Sequence, residues 1–507
     1  MKTVNLSGEN LTLEDVINVA YNNYKVSATE EAKEKINKSR AVVDGIVERN
    51  DTKYGITTGF GKFSDVTISG EECKTLQKNL IMSHSCGAGR KFPKEVVRII
   101  MLLRANNLAK GYSGIRLSVF ETLLDMLNKG VHPCIPEKGS LGASGDLAPL
   151  AHMVLPMLGE GEAEFQGEIL PGKEAMEKAG IDTVELVAKE GLALINGTQV
   201  MTAVGSLALY KAINLLKVSD ISAALTIEAL RGIRDAFDLR THMLRPHAGQ
   251  IQTAKNINAL TEGSSFMTNQ GDLRVQDAYT LRCVPQVHGA SKDAVNYVKD
   301  KVEIEINSVT DNPIIFENAD VISGGNFHGQ PMALSFDFLG IAMSEVADIS
   351  ERRLERLVNY QLNDLPPFLA KNGGLNSGFM ITQYAAAALV SENKVLAHPA
   401  SVDSISSSAN QEDHVSMGTI AARKSLEIVN NATRVVATEL MAACQAIDFR
   451  DGLKLGKGTQ EAYNIVRSKV SFIEKDKIMY KELEKCDELI TSGQLLKAVE
   501  EKVKLEI

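Results

Sequence analysis

The chemistry-bearing stretch is GSLGASGDLAPLAH, from Gly139 to His152, in which Gly139, Gly142 and Gly145 recur every third residue. Three residues inside it, Ala143, Ser144 and Gly145, can serve as reactants. If the loop is compressed so that the Gly145 amide nitrogen reaches the Ala143 carbonyl carbon, a five-membered ring closes and expels water. Each residue type then has a reason. Gly145 offers no side chain to obstruct the attack and tolerates unusual backbone angles, Ala143 is small, and the Ser144 hydroxyl departs as a second water, leaving an exocyclic methylidene. Asp146, next in sequence, is placed to assist the proton movements. The product, a methylidene-imidazolone, is a conjugated electrophile that needs no external cofactor.

Other readings of the same glycines compete. There is no GxxxxGK[ST] or GxGxxG spacing for a phosphate cradle. Gly-Ala-Ser-Gly also falls short of the G-x-S-x-G elbow, and a helical chain lacks the strand that an elbow needs. A glycine-rich turn without chemistry, on a non-catalytic helical scaffold, remains open from this segment alone.

The loop resembles the prosthetic-group segment of the aromatic amino acid ammonia-lyases and aminomutases, and the similarity extends over nearly the whole chain. The resemblance implies a mostly helical, fumarase- or aspartase-like fold. It also implies a methylidene-imidazolone made from Ala143-Ser144-Gly145, and a homotetramer whose active sites are shared between subunits. Removing ammonia from an α-amino acid requires taking a weakly acidic β-proton and expelling a poor leaving group. General acid–base catalysis supplies only about 100- to 10,000-fold towards that barrier, so a covalent electrophile changes the route.

By the same resemblance Tyr54, in DTKYGITTGFG, matches the catalytic tyrosine that faces the β-carbon. An unperturbed phenol has a pKa near 10, so a phenolate at neutral pH needs nearby donors or positive charge. Arg282, in RVQDAYTLRCVPQVHGA, corresponds to the arginine that takes the substrate carboxylate, for which a planar bidentate cation is suited. Tyr279 and Gln276, three and six residues earlier, are implied in catalysis and substrate positioning. Asn196, in LALINGTQ, resembles the asparagine that bonds the prosthetic group or the substrate carboxylate. Phe327, in GGNFHGQP, resembles a residue that packs beside the prosthetic group and helps it form. Met alone, each has a plainer role: core tyrosine, surface arginine, helix cap, core phenylalanine.

Substrate choice turns on Ser83-His84 in NLIMSHSCGAG and on Glu412 in SANQEDHVSMG. The Ser-His pair resembles the histidine-selective members of the family. Tyrosine-selective relatives usually carry His-Leu there, and phenylalanine-selective ones often Phe-Leu. An imidazole substrate has two ring nitrogens that need polar partners, which His84 can supply and a leucine cannot. Glu412 stands where the phenylalanine and tyrosine enzymes commonly have an amide, and as a carboxylate it can accept an imidazole N–H or act as a base. Asp413 and His414 more readily orient this loop. Departures from the family pattern are Cys86, where alanine is common, and Gln330, where glutamate is frequent. The implied reaction is conversion of L-histidine to trans-urocanate and ammonia, the first step of histidine degradation. A tyrosine or phenylalanine lyase or aminomutase is the alternative.

Elements that must hold these residues are read from proline placement and periodicity. No proline occurs between Pro171 and Pro246, between Pro331 and Pro366, or after Pro399, which leaves room for long helices. Val96, Ile99, Ile100 and Leu103 fall on one helical face, with Gly111 beyond it. Phe120, Leu123, Leu124 and Leu127 repeat the spacing until Gly130. The Ala- and Leu-rich run from Val200 to Phe237 predicts a long buried helix, while Val302 to Val309 and Ala319 to Ser323 read as short strands. The fold class expected is mainly all-α, a long-helix bundle core with minor β. Long polar stretches at 131–150, 242–274, 312–330 and 365–414 read as functional loops. The expected division is an N-terminal domain over 1–110, a central bundle carrying the reactive loop over 111–400, and a C-terminal helical part over 401–507.

With 507 residues, 44% hydrophobic and 23% charged, the chain has ample material for a large core. A net charge of -9 and the absence of Lys/Arg-rich runs give no reason to expect nucleic acid. MKTVNLSGENLTLEDV lacks a basic stretch followed by an apolar one, and no later run suits a bilayer, so a cytoplasmic protein without a membrane partner is expected. Six cysteines without CxxC spacing and nine histidines without HExxH suggest free thiols and no catalytic metal.

Overall fold

The computed structural model describes residues 2–59, 68 and 70–507. Among the described residues are nineteen α-helices and nine short strands, the latter in four small sheets, in keeping with a mainly all-α chain. The chain divides into two compact units, each assembled from three segments. The first comprises Met1–Leu207, Lys299–Asp337 and Pro399–Arg423, and the second Ala208–Val298, Phe338–His398 and Lys424–Ile507. None of the described helices is long and apolar enough to cross a membrane.

In the first unit, Lys94–Ala109 is the central helix. Its periodicity predicts one apolar face, yet every residue from Val96 to Ala109 is buried. Donors of the polar side chains on the remaining faces reach backbone carbonyls. Arg98 donates to the carbonyls of Val19 and Leu127, Asn106 to Ile306, and Asn107 to Ser308. Leu117–Lys129 follows and closes where its pattern predicts, at Gly130, which caps it at a φ of 82° that an L side chain resists. The strands are short: Thr3–Leu6 pairs in parallel with Lys25–Ala28, and Val131–Pro133, Glu162–Phe165 and Glu168–Pro171 form an antiparallel trio.

Four long helices, Gln199–Ala229, Val284–Glu305, Gln330–Val358 and Gly418–Ile447, each contribute residues to both units. The first is shorter than the run to Phe237 predicts. It ends at Ala229, the chain turns through Arg231 at a φ of 54° and Gly232, and a 3-10 turn spans Arg234–Phe237. Val302–Val309 is not a strand. Its first residues complete the Val284–Glu305 helix, where Val302 finds burial that local β-propensity cannot foresee, and Ile306 is buried in the turn just after it. Two of the expected loops also contain helices, Ala248–Leu260 and Met380–Leu396.

The second unit holds several of its interior charges in one network. Asp220 accepts from His288, Lys292 and Asn256, and Arg353 forms a two-pronged pair with Glu439, which also accepts from Thr226 and Ser350. Pairing of this kind offsets the cost of removing those charges from water.

Candidate active site

The loop over residues 139–152 is held by a backbone crossing and by the Asp146 side chain. Gly142, Ser144 and Gly145 have φ of 78°, 54° and 78°, all in the left-handed region. Gly145 lies so close to Gly197 that a Cβ on it would sit 2.1 Å from the Gly197 carbonyl oxygen, and one on Gly142 would sit 2.3 Å from the Ser416 hydroxyl. Glycine is required at both positions on contact as well as on backbone angle. The Asp146 amide donates to the Gly197 carbonyl at 2.8 Å, and the Gly197 amide donates to the Ser144 carbonyl at 3.3 Å.

Asp146 precedes the Leu147–Val154 helix, but its carboxylate does not cap that helix. Instead, fully buried, it accepts from the backbone N–H groups of Val200 at 2.9 Å and Met201 at 2.8 Å, in the first turn of the Gln199–Ala229 helix. Ser140 donates to it at 2.8 Å, and Thr419 donates as well. Burial raises the Asp146 pKa above the ordinary carboxylate value, opposed by the Thr419, Met201, Ser140 and Val200 bonds. Behind Gly197, the fully buried Arg104 donates to the carbonyls of Ala193 at 2.9 Å and Asn196 at 2.7 Å and to the Gln199 side chain. Burial pushes its pKa down to about 10.

Against this loop lies a cavity of about 780 Å³ whose polar lining includes Tyr54, Ser83, His84, Ser144, Asn196 and Glu412. The rest is chiefly aliphatic, including Leu76, Leu80, Leu147, Leu192 and Ile195, as suits a small organic ligand with few fixed contacts. His84 ends the Gly70–His84 helix, with its Nδ1 3.1 Å from the Ser83 hydroxyl. Burial lowers its pKa, partly countered by a bond to the Leu80 backbone and by the Glu412 charge, so the neutral imidazole is favoured. Ser144 donates to Glu412 at 3.3 Å, and the other Glu412 oxygen accepts from Ser407 at 3.0 Å. Asn196 follows the Glu190–Ile195 helix and donates through Nδ2 to the Asn312 carbonyl at 3.0 Å. Its Oδ1 is buried without a hydrogen-bond partner, an acceptor available to a ligand.

The remaining sequence-predicted residues lie elsewhere. Phe327 is half-buried and is not among the described residues lining the cavity, although its neighbour His328 stacks on His414 with ring centroids 5.4 Å apart. Gln276, Tyr279 and Arg282 belong to the second unit. Tyr279 is 71% exposed, the Arg282 guanidinium lies 4.6 Å from its ring, and Gln276 lines a separate cavity. Sequence reasoning missed Ser140, Thr419, Arg104 and Gln199. Only Ser140, within the glycine-rich stretch, carried a local signal.

Residues 11–468 match the family described as Aromatic amino acid lyase. The chain belongs to the aromatic amino acid lyase family. Among members of this aromatic amino acid lyase family, a histidine ammonia-lyase of Clostridium tetani (strain Massachusetts / E88) is 69% identical over 510 residues, covering 100% of this chain and 99% of its own. A solved histidine ammonia-lyase from Trypanosoma cruzi is 41% identical, with a TM-score of 0.93, over 99% of this chain and 96% of that one. A tyrosine aminomutase from Streptomyces globisporus is 38% identical, with a TM-score of 0.96, over 99% and 100%. Backbone shape is therefore shared between a histidine ammonia-lyase and a tyrosine aminomutase.

Proposed function

We propose that this chain deaminates L-histidine to trans-urocanate and ammonia without oxidation, as the first step of histidine degradation. The observation that carries the reading is the placement of His84 and Glu412 in one cavity wall with Ser144. An imidazole and a carboxylate beside the reactive loop complement a substrate ring that both donates and accepts. The high-identity histidine ammonia-lyase relative supports the same substrate.

A methylidene-imidazolone from Ala143-Ser144-Gly145 fits the residues present. Gly145 is seated where no Cβ can be, and Asn196 offers an unused buried acceptor in the adjoining wall. Once formed, that group supplies an electrophile conjugated to the backbone. The chain's own residues do the rest. Asp146 and Glu412 manage protons at the loop during closure, the latter at the Ser144 oxygen it already accepts from. Tyr54 takes the substrate β-proton, and His84 and Glu412 orient the imidazole. Asn196 accepts from the bound ligand, and Phe327 supports the loop. Arg282 binds the carboxylate, Gln276 positions the substrate and Tyr279 takes part in catalysis. The exposed Tyr279 and the half-buried Arg282 are supplied by a neighbouring copy in a cytoplasmic homotetramer.

The test is direct. Purified protein is incubated with L-histidine, L-tyrosine or L-phenylalanine, with acrylate absorbance followed and β-amino acid products assayed. Urocanate from histidine alone is expected. Product from tyrosine but not histidine, or a β-amino acid, overturns the assignment of His84 and Glu412. Intact mass must show two waters missing, and Tyr54→Phe must lose turnover while retaining that mass.

A further inference from the structure

A second cavity, of about 570 Å³, lies within the second unit and has an excess of positive charge in its wall. Arg231, Arg274 and Arg356 line it, opposed by Asp277 and Asp364. Both carboxylates are already engaged. Asp277 pairs with Arg274 at 2.6 Å and accepts from the Ile233 amide, and Asp364 is held by two bonds from Arg450. Among the described residues no carboxylate oxygen lies within ion-pair distance of Arg231 or Arg356, although the Arg231 charge joins that of Arg450 in lowering the Asp364 pKa. The Arg231 Nε is buried without an acceptor, and the Arg356 guanidinium makes one long contact, 3.5 Å, to the Leu362 carbonyl. A buried guanidinium N–H with no acceptor is costly to leave unmade. Two forked donors on one wall match the oxygens of a tetrahedral oxyanion.

We propose that this cavity binds a phosphate-class oxyanion between Arg231 and Arg356. The cavity's wall includes Leu273, Gln276 and Leu281, so an anchored oxyanion also braces the segment that carries Tyr279 and Arg282. The site makes no use of the Ser144 cavity. Its binding is measured without amino acid substrate, so failure of the deamination reading leaves the result untouched.

The experiment is calorimetric titration of the full chain with inorganic phosphate at constant ionic strength set by potassium chloride. Parallel arms use glycerol phosphate and malonate. Saturable binding of one inorganic phosphate per chain is expected, weakened at least tenfold in Arg231→Gln and in Arg356→Gln. Binding of glycerol phosphate as well assigns the site to phosphomonoesters, and binding of inorganic phosphate alone assigns it to the free ion. Heats that never saturate, saturation by malonate but not by either phosphate, or unchanged affinity in both folded variants overturn the proposal. Should the variants not fold, the parent chain decides the matter. Phosphate must protect Arg231 and Arg356 from phenylglyoxal, read by peptide mass, and equal modification with and without phosphate overturns the site.

Discussion

Asp146→Ala removes a carboxylate that four donors address, and the structure sets what that costs. Two of those donors, the Ser140 and Thr419 hydroxyls, can rotate to other acceptors. The Val200 and Met201 amides cannot, because the helix that begins at Gln199 fixes them. Leaving two buried N–H groups unsatisfied costs about 1–3 kcal/mol each, and losing a negative charge at a helix N-terminus adds about 0.3–1 kcal/mol. The expected loss is about 2–7 kcal/mol. Asp146→Asn keeps an oxygen for both amides and forfeits only charge assistance, roughly 0.5–2 kcal/mol. Hydrogen exchange at the Val200 and Met201 amides reads the difference locally. A loss of about 2 kcal/mol speeds exchange about thirtyfold, since about 1.36 kcal/mol is tenfold. Equal protection of these amides in the Ala and Asn variants, in chains that remain folded, would refute the argument that Asp146 serves the helix rather than its own.

Three further outcomes are expected. His84→Leu deprives an imidazole substrate of a polar partner worth about 1–3 kcal/mol, so kcat/KM for L-histidine falls between about 5-fold and about 150-fold; an unchanged value removes His84 from substrate selection. Gly145→Ala places a Cβ 2.1 Å from the Gly197 oxygen at a φ of 78°, where the backbone alone costs about 1–2 kcal/mol, and intact mass should show both waters retained. Burial pushes the Glu228 carboxyl up to about 7 from 4.5, so the folded chain holds a proton there that the unfolded chain releases. Its stabilising contribution is full below about 4.5 and is lost as pH rises through about 7, on the order of 3 kcal/mol in all. Urea midpoints for Glu228→Gln should therefore gain on the parent between pH 5 and pH 8, and parallel pH profiles would count against it.

Local patterns were legible wherever a local force decides the outcome. Gly130 ends its helix because an adjacent left-handed residue suits a C-cap, and the glycine spacing of 139, 142 and 145 marks three positions with positive φ. The sequence also contained Tyr54, His84, Ser144, Asn196 and Glu412, which the fold gathers around one cavity. Their partners were hidden by distance along the chain. Thr419 meets Asp146 across 273 residues, and Gln199 meets Arg104 across 95. A threonine near a helix start and an arginine in an apolar run have no pattern that announces such contacts. Val302 to Val309 misleads for the opposite reason, since Val302 is buried equally well on a helix and Ile304, despite its β-propensity, faces outward.

The crossing of Gly145 over Gly197 has a temporal consequence. The loop's compressed shape is complete only with the turn after Ile195 against it, and that turn is held by Arg104 from a helix almost a hundred residues earlier in the chain. Ring closure, as proposed, would thus be a covalent timestamp of folding. A chain that has lost two waters has passed through its native fold at least once, and later unfolding does not erase the mark.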